Sequence, residues 1–222
     1  MSARDTVFGK IRRSLGVTGE EPRRNATVDD RLLQAPIGVI PARGSGAPEE
    51  QVALFSKMAE KAAATLTRVA DADAIPMAVA DYLRSQNLPA RLRLGDDPLL
   101  NGLTWTRTQI EMKHGSSDGT DAVGLSHAVA GVAETGTLIL TSGSDNPTTI
   151  NFLPDTHVVV IKAADIVGDY EAAWKGIRAS YGKGAMPRTV NMVTGPSRSG
   201  DIEQTILLGA HGPRRLHIVV VG

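Results

Sequence analysis

The sequence contains no cysteine in 222 residues, which removes disulfides, thiolate nucleophiles and the thiolate ligands on which iron–sulfur clusters depend. Redox chemistry around this chain has to be carried by another chain or by a bound cofactor. Aromatic residues make up only 4% and do not interleave with basic ones, so the stacking platform of a single-strand nucleic-acid binder is missing. Lysine plus arginine and aspartate plus glutamate each total 24, and no global field favours nucleic acid or an anionic membrane. No apolar run approaches the roughly 18 residues of a membrane span. The first stretch, "MSARDTVFGKIRRSLG", is broken by charge every few residues and lacks the apolar core of a secretory signal. The five histidines have neither H-x-x-x-H nor H-E-x-x-H spacing, and "HGSSDGTDAVG" is too sparse in carboxylates for a calcium loop. The expectation is a cytoplasmic protein with no membrane span, no nucleic-acid partner and no metal site.

What is present suits an ordinary folded domain, with 41% apolar and 22% charged residues. Val7, Phe8, Ile11 and Leu15 share one side of a helical wheel, which predicts a short amphipathic helix ending near Gly16, docked on its own domain or offered to a partner. "VTGEEPRRNATVDD" and "PARGSGAP" read as linkers. The expected division is a helix and linker over residues 1–48 and a compact domain over 49–222. At the start of that domain Phe55, Met58, Ala59, Ala62 and Leu66 keep helical spacing. "AIPMAVADYLRSQN" reads as a second helix with Pro76 tolerated in its first turn, and "PARLRLG" as a short strand. Further on, "TLILT", "HVVVIKA", "TVNMVTG" and "LHIVVVG" are short β-branched runs bounded by turn residues, and "ADIVGDYEAAWKGIRASYG" has helical spacing through Ile166, Tyr170, Trp174 and Ile177. Strands alternating with helices predict an α/β fold, a layered and largely parallel sheet flanked by helices, with an N-terminal helical extension.

In open α/β sheets ligands gather at loops beyond the carboxyl ends of the strands. Three loops here are dense in groups able to bind or react. In "AETGT", Glu134 is a candidate general base, nucleophile or acceptor, with Thr135, Gly136 and Thr137 beside it for ligand contact. The same residue types also suit a carboxylate paired with an arginine or capping a turn. In "TGPSRSGDIE", Gly195, Ser197, Arg198, Asp201 and Glu203 follow a strand; a hydroxyl and a guanidinium fork at a permissive turn suit a carboxylate or phosphate. A solvated turn with Arg198 paired to Asp201 accounts for the pattern equally well. The loop is neither a Walker motif nor a nucleophile elbow, since G-x-S-x-G breaks at Ser199. In "GAHGPRR", His211 stands between glycines, followed by Gly212 and Arg214, and is a candidate acid, base or hydrogen-bond donor, or a structural histidine.

Taken in order, "AVAGVAETGTLILTSG", "NFLPDTHVVVIKAADIV" and "VTGPSRSGDIEQTILLGAHGPRRLHIVVVG" resemble the lactate utilisation domain family, in its short single-domain form. The resemblance is dense over the C-terminal half. It implies a fold similar to the sugar-phosphate isomerase and coenzyme A transferase-like group. It also implies a bacterial role in oxidising L-lactate to pyruvate beside iron–sulfur partner proteins. No cofactor held by cysteine is expected, and any other cofactor is left open. The loops would then take a small anion such as lactate, pyruvate or a phosphorylated metabolite. The alternatives are a stand-alone acyl- or proton-transfer enzyme using Glu134, or a metabolite-binding regulatory module.

Overall fold

The computed structural model describes residues 2–182, 184–199 and 207–222. The chain forms two compact units, one ending at Val39 and one running from Ile40 to Gly222.

The first unit holds α1 (Ala3–Leu15) and α2 (Pro22–Gln34). Ser2 opens α1 with a reciprocal capping box, its hydroxyl accepting from Asp5 N–H at 3.2 Å while Asp5 Oδ2 accepts from Ser2 N–H at 2.9 Å. Gly16 closes the helix in the left-handed conformation at φ 65°. The linker expected after Gly16 is overturned: most of "VTGEEPRRNATVDD" lies in α2. Proline at the start of a helix costs nothing there, and the apolar residues that give the helix its stripe, Val28, Leu32 and Leu33, lie at the end of the polar stretch or just past it. Neither helix buries a residue.

The second unit begins with α3 (Pro48–Lys61), β1 (Thr65–Val69), α4 (Ile75–Ser85), β2 (Arg91–Leu94), α5 (Pro98–Asn101), β3 (Glu111–His114) and β4 (Val123–His127). It continues with β5 (Ala130–Val132), β6 (Thr137–Thr141), α6 (Thr148–Phe152), β7 (Thr156–Lys162), β8 (Ile166–Val167), α7 (Tyr170–Tyr181), β9 (Val190–Val193), β10 (Arg198–Ser199), β11 (Leu207–Leu208) and β12 (Arg215–Val221). Leu66 is not helical as its spacing suggested. Ala63 takes φ 67° and ends the helical run, and the β-branched residues of "TLTRV" continue as β1. Ile166 likewise belongs to β8 rather than to the helix that follows it.

Six strands form an all-parallel sheet in the order β1-β12-β7-β4-β2-β3. The architecture is therefore α/β with a layered parallel sheet flanked by helices. The central strands read as continuous apolar runs because both faces are covered. Val159 and Ile161 of β7 pack under α3, with Leu216, Ile218 and Val220 of β12. Val158 and Val160 face the opposite way, onto Ile75, Val79 and Leu83 of α4. A second sheet, β8-β5-β6-β9, lies on the α3 side. Its strands "TLILT" and "TVNMV" pair antiparallel, Leu138 with Val193 through Thr141 with Val190. They are not part of the parallel sheet with which their composition grouped them. Leu138 and Leu140 join the α3 cluster, while Ile139 turns away to pack on Ala173 and Ile177 of α7.

Candidate functional site

Two of the three glycine-rich loops meet at one place. The crossover from β7 to β12 passes through the second sheet and must return to the edge where parallel strands start, so the segment after β9 and the segment before β12 come together at the amino ends of β7 and β12. Ser197 N–H donates to Pro213 O at 2.9 Å, Gly209 N–H to Ser197 O at 2.9 Å, and Arg214 N–H to Asp155 O, just before β7, at 2.8 Å. The expectation of a site beyond the carboxyl ends is thereby corrected for these loops.

They enclose a cavity of about 300 Å³ lined by Gly195, Ser197, Arg198, His211 and Gly212, with Thr194, Pro196 and Pro213. Its other walls are Asn151, Phe152, His157, Met192, Val193 and Leu216. The volume sits at the small end of ligand pockets, which run from ~300 to ~1,000 Å³. Gly195 takes φ 71°, and a Cβ there would stand 2.1 Å from Ala62 O at the end of α3. Only glycine allows the turn to press on that helix terminus. The Arg198 guanidinium donates to the same Ala62 carbonyl, which sets a fixed positive charge in the cavity wall. Ser197 Oγ accepts from His211 N–H at 3.3 Å and keeps its own proton to donate. No aspartate or glutamate is among the described lining residues, so the wall favours an anion.

Arg214 is exposed and does not line the cavity. Asp201 and Glu203 lie outside the described residues.

Glu134 is elsewhere. It occupies the β5–β6 turn, its N–H donating to Gly168 O at 3.1 Å, and is 4% exposed. Among the described residues its Oε2 has no hydrogen-bond partner, and it forms an ion pair with Arg43, whose Nε is 3.9 Å away. Gly136 completes the turn at φ 68°, where a Cβ would lie 2.3 Å from Ala59 N of α3. Thr135 and Thr137 form a hydroxyl cluster with Tyr170. Thr137 Oγ1 lies 2.7 Å from Thr135 Oγ1, 2.9 Å from Tyr170 OH and 2.6 Å from Thr194 Oγ1. Thr194 lines the cavity, so the turn reaches the cavity through hydroxyls and not through its carboxylate.

Sequence reading passed over Asn151 and His157. A Cβ on Gly124 of β4 would lie 2.6 Å from Ile150 O; its absence lets α6 lie close on that strand and brings Asn151 to Ser126, whose hydroxyl donates to Asn151 Oδ1 at 3.0 Å. His157 of β7 is fully buried, with Nε2 3.0 Å from Ser126 Oγ, and burial pushes its pKa down to about 3. His217, stacked on Tyr82 with ring centroids 3.8 Å apart, is pushed down by burial to about 4. A glycine within "VGLSH" and a histidine opening "HVVVIK" are the available signals, and neither by itself marks a ligand site.

At the opposite, carboxyl edge, His127 Nδ1–H donates to Asp97 Oδ2 at 3.1 Å, and Asp97 Oδ1 accepts from Leu100 N–H at 2.9 Å. Burial would raise the Asp97 pKa; the bonds from His127 and Leu100 outweigh it and leave the carboxyl below its ordinary value. Among the described residues no group of three or more histidine or carboxylate side chains is placed to hold a metal ion. No described helix is long and apolar enough to cross a membrane.

Comparison with known proteins bears on the same region. Lactate utilization protein C of Geobacillus thermodenitrificans is 36% identical over 100 residues, 45% of this chain and 42% of that protein. Lactate utilization protein C of Deinococcus radiodurans is 34% identical over 122 residues, 54% of this chain and 56% of that protein. The aligned segments thus span roughly half of these relatives or less. A crystal structure of a DUF162 family protein from Deinococcus radiodurans shares the fold, with a TM-score of 0.61 over 80% of this chain and 99% of that one at 22% identity. Residues 52–221 match the LUD domain, and the chain belongs to the LUD domain family.

Proposed function

We propose that this chain serves lactate utilisation as a non-redox subunit of a cytoplasmic system that oxidises L-lactate to pyruvate with iron–sulfur partner proteins. In this reading its cavity holds a small anion: lactate, pyruvate or a phosphorylated metabolite. The observation that carries the reading is the cavity wall of Ser197, Arg198 and His211, with no carboxylate among its described residues, in a chain whose relatives are named for lactate utilisation.

Arg198 supplies the charge that attracts a carboxylate, and the hydroxyls of Ser197 and Thr194 supply neutral donors. His211, exposed at the rim, offers its ring nitrogens for a hydrogen bond to a bound anion. Oxidation of lactate releases two electrons and two protons. A chain without cysteine has no thiolates to hold a cluster, so the electrons pass to the partner proteins. The test is lactate-dependent electron transfer by the native complex purified with and without this chain. Loss of transfer on its removal, together with loss of growth on lactate after gene deletion, supports the reading. Normal growth and undiminished transfer overturn it.

One observation favours a second reading, acyl or proton transfer by Glu134: its Oε2 is buried without a hydrogen-bond partner among the described residues. Such an enzyme loses turnover in Glu134→Gln while keeping its fold. The subunit reading expects lactate-dependent transfer to persist in that variant.

A further inference from the structure

Asn151 and His157 line the same cavity as Ser197 and Arg198. Each carries a buried polar atom without a hydrogen-bond partner among the described residues, Nδ2 of Asn151 and Nδ1 of His157. Their other polar atoms are already engaged through Ser126. The Ser126 hydroxyl donates to Asn151 Oδ1 at 3.0 Å, so at its 3.0 Å contact with His157 Nε2 the same oxygen accepts. That order of protons fixes the imidazole as the Nε2–H tautomer and leaves Nδ1 a bare acceptor. Burial keeps the ring neutral across the physiological range. A sealed acceptor and a sealed donor are costly while unpaired, and a bound molecule that pairs both is favoured over one that pairs neither.

An acceptor nitrogen needs a proton from the ligand. A hydroxyl provides one, whereas a ketone oxygen meets the Nδ1 lone pair with lone pairs of its own and a methylene provides nothing. The Asn151 amide donates to the hydroxyl oxygen or to a neighbouring carboxylate oxygen. We propose that His157 and Asn151 set the specificity of this cavity for a small anion bearing a hydroxyl beside its carboxylate, so that it holds a 2-hydroxy acid in preference to the matching 2-oxo acid. The proposal rests on the anion-binding reading above and adds to it the chemical class and the recognising atoms. A site built to hydrogen-bond a hydroxyl rejects analogues without it far more strongly than an apolar pocket rejects a change of size.

The test is calorimetric titration of the full chain with L-lactate, pyruvate and propionate, and with the larger pair 2-hydroxyglutarate and 2-oxoglutarate. L-Lactate is expected to bind at least ~10-fold more tightly than pyruvate or propionate. His157→Phe should bring the lactate-to-pyruvate ratio within about threefold of unity. Ser126→Ala, which leaves the cavity lining intact but releases the tautomer, should lower the ratio and serves if His157→Phe does not fold. In the wild type the His157 Nδ1 nitrogen resonance should shift with lactate and not with propionate. Equal affinity for lactate and pyruvate, weakened roughly tenfold for both in Ser197→Ala, would keep the anion site and overturn hydroxyl recognition. Preference for 2-hydroxyglutarate over 2-oxoglutarate with no lactate binding would keep hydroxyl recognition and overturn the lactate reading. Binding of none of the five overturns both.

Discussion

The turn at Glu134 and the loops at Ser197 and His211 are written in the same alphabet of glycine, hydroxyl and ionisable side chain, and both press a glycine on α3, Gly136 and Gly195, yet only the loops leave a cavity beside their side chains. Gly136 presses the first against the backbone of α3 and leaves its carboxylate under Arg43. Gly212 lies beside a cavity of about 300 Å³, and a Cβ there would meet the Ser197 side chain at 3.3 Å rather than backbone. Glycine density marks close approach of something, and only packing decides whether that is the protein's own backbone or a ligand.

The largest expected effect concerns two buried histidines, His157 in the cavity wall and His217 against Tyr82 of α4. His157 and His217 have folded pKa values near 3 and 4, set by burial, and both titrate near 6.5 when unfolded. Between those values the unfolded chain takes up protons that the folded one refuses, so stability is intact above about pH 6.5 and falls as pH drops towards the folded values. Denaturant titration should show a loss of roughly 3–5 kcal/mol between pH 7.5 and 4.5. A flat profile would contradict the burial of the two rings.

Next come the glycines themselves. Gly136→Ala combines a left-handed φ with a backbone clash and should cost about 3 kcal/mol or more, while Gly212→Ala should cost less than about 1 kcal/mol. Equal costs in urea melts would erase the contrast between turn and cavity. Ser197→Ala should leave the melting temperature nearly unchanged and weaken anion binding roughly tenfold, the loss of one hydrogen bond to a charged group. The smallest effect is that of Glu134→Gln. Its ion-pair partner Arg43 is half-exposed at 3.9 Å, so stability should change by less than about 1 kcal/mol, with anion affinity unaltered.

Much of the fold was legible because burial on both faces leaves a plain mark: the unbroken apolar runs "VVVI" and "IVVV" became the interior strands β7 and β12. "TLILT" carries the same mark for another reason, since β6 of the second sheet is also buried throughout, and nothing local separates its antiparallel pairing with β9 from parallel pairing. The helix at Pro22 was missed because its apolar stripe begins only at Val28. At the site, Ser197 and His211 stood out as exposed loop chemistry, whereas Asn151 and His157 were hidden in segments read as packing. Their meeting depends on Gly124, which admits α6 to within reach of Ser126. That contact joins residues 25 positions apart and has no local signature.

The most direct test of the account is L-lactate affinity, measured side by side for the wild type, Ser197→Ala and Glu134→Gln. The account expects Ser197→Ala to bind roughly tenfold more weakly and Glu134→Gln to match the wild type. Loss of binding in Glu134→Gln with none in Ser197→Ala would contradict it and move the site to the β5–β6 turn.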